Sequence, residues 1–282
     1  MLLFAGVIVL AVLIMQPISL IHFGSLIDVI FPTGLIAQEE RNLLLIIQGL
    51  MLLVIIPVYV LTFIFSWKYS ALNPKGEYDP HLVDSKFAEY IWWGFPLVMT
   101  LIVCALTWIK TEELDPYKPI PPEKEAVTIQ AVALRWKWLF IYPDENIASL
   151  NFLQIPQNIP VRFEITADAP MNSLWIPDLS GQIYAMPGMM TMLNVIGNKV
   201  GDARGSSSNI SGAGFSGMHF IARTSTEEDY KKWIAEAKNS PQSLGIQEYA
   251  ELVKPTSNAA PELYRLTDPA LFNQIIDKYL HP

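Results

Sequence analysis

Cysteine occurs once in the 282 residues, at Cys104. A single thiol excludes an internal disulfide framework and any metal site built on a cysteine pair. Cys104 lies in an apolar run, where a packed, inert thiol is expected. Charge is also scarce. Only 16% of the residues are charged against 51% hydrophobic, which is too apolar for an ordinary soluble protein. No basic excess exists either: the formal net charge is -8, where a nucleic-acid binder would carry a basic stripe.

Long apolar runs are what the chain has instead. Residues 2–15 form the first, closed by Gln16, Pro17 and His22. At about 14 residues it is shorter than the roughly 20 that a membrane span needs and has the length of a signal-peptide core. No Lys or Arg precedes it and no A-x-A cleavage site follows, so residues 1–25 read either as a cleaved signal or as an extra membrane segment. Residues 26–110 read as a transmembrane hairpin with spans at 43–65 and 90–109. Gly49 and Pro57 fall inside the first span, which membranes tolerate because neighbouring groups satisfy the freed backbone. Trp67 and Tyr69 mark one interface; Trp92, Trp93 and Trp108 flank the second span. The short connecting loop carries Lys68, Lys75 and Lys86, whereas the outer flanks carry Glu39, Glu40, Glu112, Glu113 and Asp115. The positive-inside rule then places the loop in the cytoplasm and everything after Lys110 outside it.

Residues 111–123 form a Pro-rich linker, extended rather than helical. The hydrophobic period then switches to two. Val127, Ile129 and Ala131 alternate, as do Val161, Phe163 and Ile165, and more weakly Met190, Met192 and Asn194. Short alternating runs bounded by Pro, Gly and Asn predict a β-sandwich or barrel over 124–224. From 225 to 282 the pattern turns helical. Thr226 is placed to cap a helix whose first turn holds Glu227, Glu228 and Asp229. Thr267-Asp268-Pro269 opens another, with Leu271, Ile275, Ile276 and Leu280 on one side.

The stretch Asn172 to Met218 ends in S-S-N-I-S-G-A-G-F-S-G-M, from Ser207 to Met218. In spacing, glycines and closing methionine it resembles the C-x-E-x-C-x-x-x-H-x-x-M loop of respiratory oxidase second subunits, which with one upstream histidine holds two copper ions. Laid on that pattern, Ser207 and Ser211 stand at the cysteine positions, Asn209 at the glutamate and Phe215 at the second histidine. Asn172, in Met171-Asn172-Ser173-Leu174-Trp175-Ile176-Pro177, stands at the upstream histidine, and Met218 is retained. Hydroxyl, amide and phenyl groups do not replace thiolate and imidazole on copper. None of the four histidines, His22, His81, His219 and His281, falls on a ligand position. The chain is therefore identified as a member of the second subunits of quinol-oxidising haem-copper oxidases, the cytochrome bo type, which lack this copper centre.

That resemblance covers nearly everything after residue 26, and it implies a fold and a role. The fold is membrane-anchored α+β: a transmembrane helical hairpin, a cupredoxin-like Greek-key barrel and a helical, aromatic-rich C-terminal extension. The chain is expected to bind no cofactor and no metal itself. Haems and copper belong to the partner subunit I, which with smaller membrane subunits and the lipid bilayer makes up its surroundings. Ubiquinol is the substrate of the complex; oxygen is reduced and protons are moved, in the inner membrane of a bacterium with the large domain periplasmic. No cytochrome c is expected as a partner. A copper-containing subunit that takes electrons from cytochrome c, and a membrane-tethered periplasmic binding module, are the alternatives.

Two further motifs carry candidates. Arg135-Trp136-Lys137-Trp138 matches the family's W-x-W segment, and Trp136 aligns with the tryptophan through which electrons enter copper-bearing relatives. Without copper beneath it an electron relay has no acceptor, so Trp136 and Trp138 are read as packing or subunit-interface residues. Glu89, in Lys86-Phe87-Ala88-Glu89-Tyr90-Ile91-Trp92-Trp93, stands where a family glutamate lies near a proton pathway into subunit I. The resemblance makes it a proton-entry candidate; the residues alone make it a solvated acid at a helix N-terminus.

Overall fold

The computed structural model describes residues 29–70, 73, 85–121 and 126–280. The 1–25 segment and His22, His81 and His281 lie outside the described residues, as does most of the loop that carries Lys75. The chain separates into two compact units: one spans 42–115, and the other joins the segment ending at Arg41 to 116–282.

The 42–115 unit consists of two long helices, α1 (Leu35–Lys68), whose first turns belong to the other unit, and α2 (Lys86–Glu113). Both are long and apolar enough to cross a membrane, and none of their most apolar stretch is buried within the chain. At 1.5 Å per residue the 34 residues of α1 run about 51 Å, beyond the roughly 30 Å hydrocarbon core. Two hydroxyls within them are satisfied by the helix's own backbone, as a lipid environment favours. The Thr62 hydroxyl donates to Val58 O at 2.7 Å and that of Thr100 to Pro96 O at 2.8 Å. The α2 helix starts at Ser85, whose side chain accepts from Ala88 N.

The second unit is built on two sheets. Strands β1 (Val127–Leu134), β2 (Lys137–Tyr142), β3 (Ile147–Leu150), β5 (Val161–Ala167) and β8 (Thr191–Val195) run in the order β3-β2-β1-β5-β8. Strands β4 (Phe152–Pro156), β6 (Asn172–Ile176), β7 (Ser180–Ala185), β9 (Gly201–Ser207) and β10 (His219–Ser225) make the other sheet, ordered β4-β10-β9-β6-β7. The parallel pairs β1/β5 and β4/β10 require the chain to cross between sheets, which gives the cupredoxin-like Greek-key barrel. Between the sheets, Trp138 stacks on Phe140 at 6.4 Å and meets Phe220 edge-on at 6.1 Å.

In the extension, helix α3 (Glu227–Lys238) begins as expected, with Thr226 Oγ1 accepting from Asp229 N at 3.2 Å. It turns Tyr230, Trp233, Ile234 and Ala237 onto the barrel core, with Trp233 against Tyr142 at 5.2 Å. After it the extension is not helical throughout. Two strands, β11 (Ser243–Leu244) and β12 (Glu262–Leu266), alternate with helices α4 (Ile246–Leu252) and α5 (Leu271–Leu280). Strand β12 pairs with β3 and β11 with β12, which widens the first sheet to seven strands.

The extension also explains why alternation along β1 and β2 is incomplete. Ile129, Ala131, Ala133, Trp138 and Phe140 face the barrel core, while Val132, Leu134, Leu139 and Ile141 face a second core made with Leu244, Tyr249, Leu271, Phe272 and Ile275. All six residues of β2 are consequently buried, Lys137 included. On β8 the inward residues are Thr191, Leu193 and Val195, one position out of phase with the weak Met190-Met192-Asn194 pattern. The packed face of β8 includes polar Thr191 while the other face carries apolar Met192, which blurred its period. On α5, Leu271 and Ile275 are buried as expected, but Leu280 is exposed at the helix end.

Residues 29–41, assigned from the sequence to the membrane hairpin, pack on the barrel instead. Gly34 bridges Gly197, and Thr33 N and Gly34 N donate to Asp178 Oδ1 and O at 2.9 and 2.8 Å. A side chain at Gly34 would lie 2.7 Å from Leu179 Cα, so only glycine permits the approach. Glu40 Oε1 accepts from Gly181 N at 3.0 Å. Polar contacts between residues about 140 apart leave no local trace in sequence. Helix α2 runs to Glu113, so the first three residues of the 111–123 segment are helical; beyond them Pro116 O accepts from both the backbone and the side chain of Asn194, which hangs the linker on β8.

Candidate functional site

Four connections meet at one end of the barrel: the turn Arg135–Trp136, the segment from Asp168 to Met171, the loop from Met186 to Met190 and the loop from Ser208 to Met218. Strand direction dictates this, because β1, β5, β7 and β9 all end there. The first two ligand positions converge. Asn172 opens β6, fully buried, and Ser207 closes β9; the Ser207 hydroxyl donates to Asn172 Oδ1 at 2.9 Å. The Asn172 amide donates to Pro170 O at 2.6 Å, so both of its polar atoms are engaged.

Asn209 joins the same network through its amide, which donates to Met171 O at 2.8 Å. Three residues that the sequence did not single out complete it. Ser173 and Ser208 share a hydroxyl contact at 2.9 Å, and Ser208 donates to Gln182 across the β6/β7 hairpin. Hydroxyl residues on strands are too common for this to be read without the pairing. Ser211 and Phe215 lie further along the loop, where Ser211 O accepts from Trp136 Nε1 at 3.3 Å. Phe215 begins a single 3₁₀ turn, Phe215–Gly217, and Met218 follows it into the barrel core. His219 opens β10 with its side chain exposed, on the opposite side from buried Met218.

This donor set does not fit a copper centre. It offers two hydroxyls, two amides already in hydrogen bonds, a phenyl ring and a thioether buried in the core. Among the described residues, no three His, Cys, Asp or Glu side chains are grouped to hold a metal.

The two tryptophans part company. Trp138 is wholly buried in the barrel core. Trp136 occupies the β1–β2 turn at φ 68°, a left-handed conformation that costs a non-glycine residue about 1–2 kcal/mol. Its half-buried ring covers Gly212 and Gly214 of the loop. Glu89, in the first turn of α2, is exposed, and its backbone N donates to Ser85 O at 2.9 Å.

A second polar centre went unread in the sequence. Asp168, directly after β5, is buried and accepts from Tyr249 OH at 2.9 Å, Lys278 Nζ at 2.7 Å and Tyr279 OH at 2.5 Å. Burial pushes its carboxyl up, but the hydrogen bonds from Lys278, Tyr279 and Tyr249, together with the Lys278 charge, outweigh that and hold it below the usual range. Its donors lie 81 to 111 residues away, so nothing local marks it. Lys137, also buried, donates to Lys254 O at 3.0 Å; burial lowers its pKa, and the Glu262 charge partly counters this.

Two helices of membrane-spanning length followed by a two-sheet barrel are what the resemblance to oxidase second subunits implies, and the relatives by sequence agree. The COX Aromatic Rich Motif family matches residues 238–282, which hold β11, α4, β12 and α5. Cytochrome bo(3) ubiquinol oxidase subunit 2 of Pseudomonas aeruginosa is 46% identical over 250 residues, covering 89% of this chain and 76% of that one. The Pseudomonas putida protein of the same name is 46% identical, covering 88% and 79%. Ubiquinol oxidase subunit 2 of Acetobacter aceti is 38% identical, covering 93% and 85%. Among solved structures, the periplasmic domain of subunit II of cytochrome oxidase of Bradyrhizobium japonicum matches at 22% identity and a TM-score of 0.39, covering 42% of this chain and 97% of that one. The chain belongs to the family of ubiquinol oxidase subunits 2.

Proposed function

We propose that this chain is the non-redox second subunit of a terminal oxidase that oxidises ubiquinol, reduces oxygen to water and translocates protons. The observation that carries the non-redox role is the Asn172–Ser207 hydrogen bond: the positions that would hold metal hold each other instead. Electrons therefore bypass the barrel, and subunit I carries the haems and the copper. The chain itself anchors and stabilises the complex, with Glu89 assisting proton entry from the cytoplasmic side. Lys68 and Lys86 at the loop ends, against Glu112, Glu113 and Asp115 beyond α2, support a periplasmic barrel in a bacterial inner membrane. Cytochrome c has no acceptor here and is not a partner.

The test is co-purification from mild detergent by a tag on this chain. A visible spectrum with b-type and high-spin haem, without a long-wavelength copper band, is expected, together with ubiquinol-dependent oxygen uptake. Near two coppers per chain after copper loading would overturn the non-redox role.

A further inference from the structure

We infer that the strap Lys254–Ala259, within the C-terminal extension, is a positioning element for the loop between β9 and β10, acting through Trp136 and Asn258. The loop has little to hold it by itself. From 208 to 217 its internal backbone hydrogen bonds are Phe215 N to Gly212 O and Gly217 N to Gly214 O, and it contains three glycines, Gly212 at φ 117°. Glycines carry a large conformational entropy that some outside contact has to offset.

Ser208 and Asn209, at its start, are bonded to Ser173, Gln182 and Met171; over 211–217 two further outside contacts do so. The Trp136 ring lies on the loop backbone: a side chain at Gly214 would overlap it, and one at Gly212 would touch it at 3.4 Å. The indole also donates to Ser211 O. At the other end of the loop, the Asn258 side chain covers Gly217, where an added carbon would sit 2.7 Å from Asn258 Oδ1.

Trp136 in turn depends on the strap. Its left-handed turn is bonded to the strap from both sides. Arg135 O accepts from Thr256 N at 3.4 Å, and Lys137 Nζ donates to Lys254 O at 3.0 Å. Next to these, Asn151 accepts from Trp138 N and donates to Ala259 O, both at 2.8 Å. A path of direct contacts thus runs from strap to turn to indole to loop, with a second contact at Gly217. The strap supplies an intramolecular restraint to a loop whose own side chains bind no metal.

Hydrogen exchange on the detergent-solubilised complex tests this. Lys137→Met removes the bond to Lys254 while keeping an unbranched chain in the buried site. Asn258→Gly removes the cover on Gly217 and keeps the positive φ of 53° accessible. Each is expected to speed exchange across 208–217 about tenfold, with β6 and β7 unchanged. Trp136→Leu should do the same, and combining it with Lys137→Met should add little, because both act on one path. Unchanged exchange at 208–217 while the strap itself loosens would overturn the inference. So would a uniform rise over the whole barrel, or full additivity of Trp136→Leu and Lys137→Met.

Discussion

The Ser207 hydroxyl donates to Asn172 Oδ1 at 2.9 Å, joining residues 35 positions apart at the point where the first histidine and first cysteine of a copper-binding relative would meet. Convergence of these two positions is what a site frame kept without its ligands would require.

Restoring the ligand chemistry should therefore restore metal binding. Asn172→His, Ser207→Cys, Asn209→Glu, Ser211→Cys and Phe215→His, with Met218 in place, supply side chains of the right softness. Copper loading of the folded variant is expected to give an intensely coloured protein with close to two coppers per chain by metal analysis. A folded but colourless variant would show that Ser211 and Phe215, which sit away from the Asn172–Ser207 pair, do not come within ligand reach.

Asp168 sets an acid limit on the docking of the extension. Its carboxyl is held below the usual value in the folded chain, so the stability it contributes is present above the unfolded carboxylate range and is lost as pH falls through the lower, folded value. Asp168→Asn should cost about 2 kcal/mol at neutral pH, the scale of hydrogen bonds to a buried charge. The variant's denaturation midpoint should also lose the acid-side slope of the wild type. An unchanged slope would assign the acid transition to other carboxylates.

Membrane orientation is expected to follow the lysines. Single cysteines at Asn73→Cys and Asn239→Cys in a Cys104→Ala background report opposite sides of the membrane in intact cells. An impermeant thiol reagent should label Asn239→Cys alone. Labelling of Asn73→Cys alone would reverse the topology.

Glu89→Gln keeps size and hydrogen bonding but cannot exchange a proton. Slower turnover is expected, with haem content, assembly and apparent quinol affinity close to wild type, and a milder effect for Glu89→Asp. The first-turn position is favourable to an acid through the helix dipole, so a purely local role predicts only a small loss of stability, about 0.3–1 kcal/mol. Wild-type turnover of an assembled Glu89→Gln complex across about pH 6 to 9 would confine Glu89 to that local role.

The sequence by itself determined whatever depends on near neighbours along the chain. Apolar runs near 43–65 and 90–109 dictate membrane helices, since a stretch of that length and hydropathy has few other places to go. Thr226 followed by three acids dictates a helix start, because the cap and the dipole act within one turn. That Asn172, Ser207, Asn209, Ser211 and Phe215 offer no thiolate or imidazole is likewise a matter of side-chain identity. Only the tertiary structure decided that 29–41 belongs to the barrel, that β12 joins β3, and that Asp168 gathers Tyr249, Lys278 and Tyr279. It also set Trp136 over the glycines of the loop and Asn258 over Gly217. Each of these joins positions distant along the chain, through backbone hydrogen bonds, a few polar side chains or a single ring. Such contacts impose no periodicity on the chain, and a sheet buried on both faces, as β2 is, erases the alternation that would have revealed its second partner.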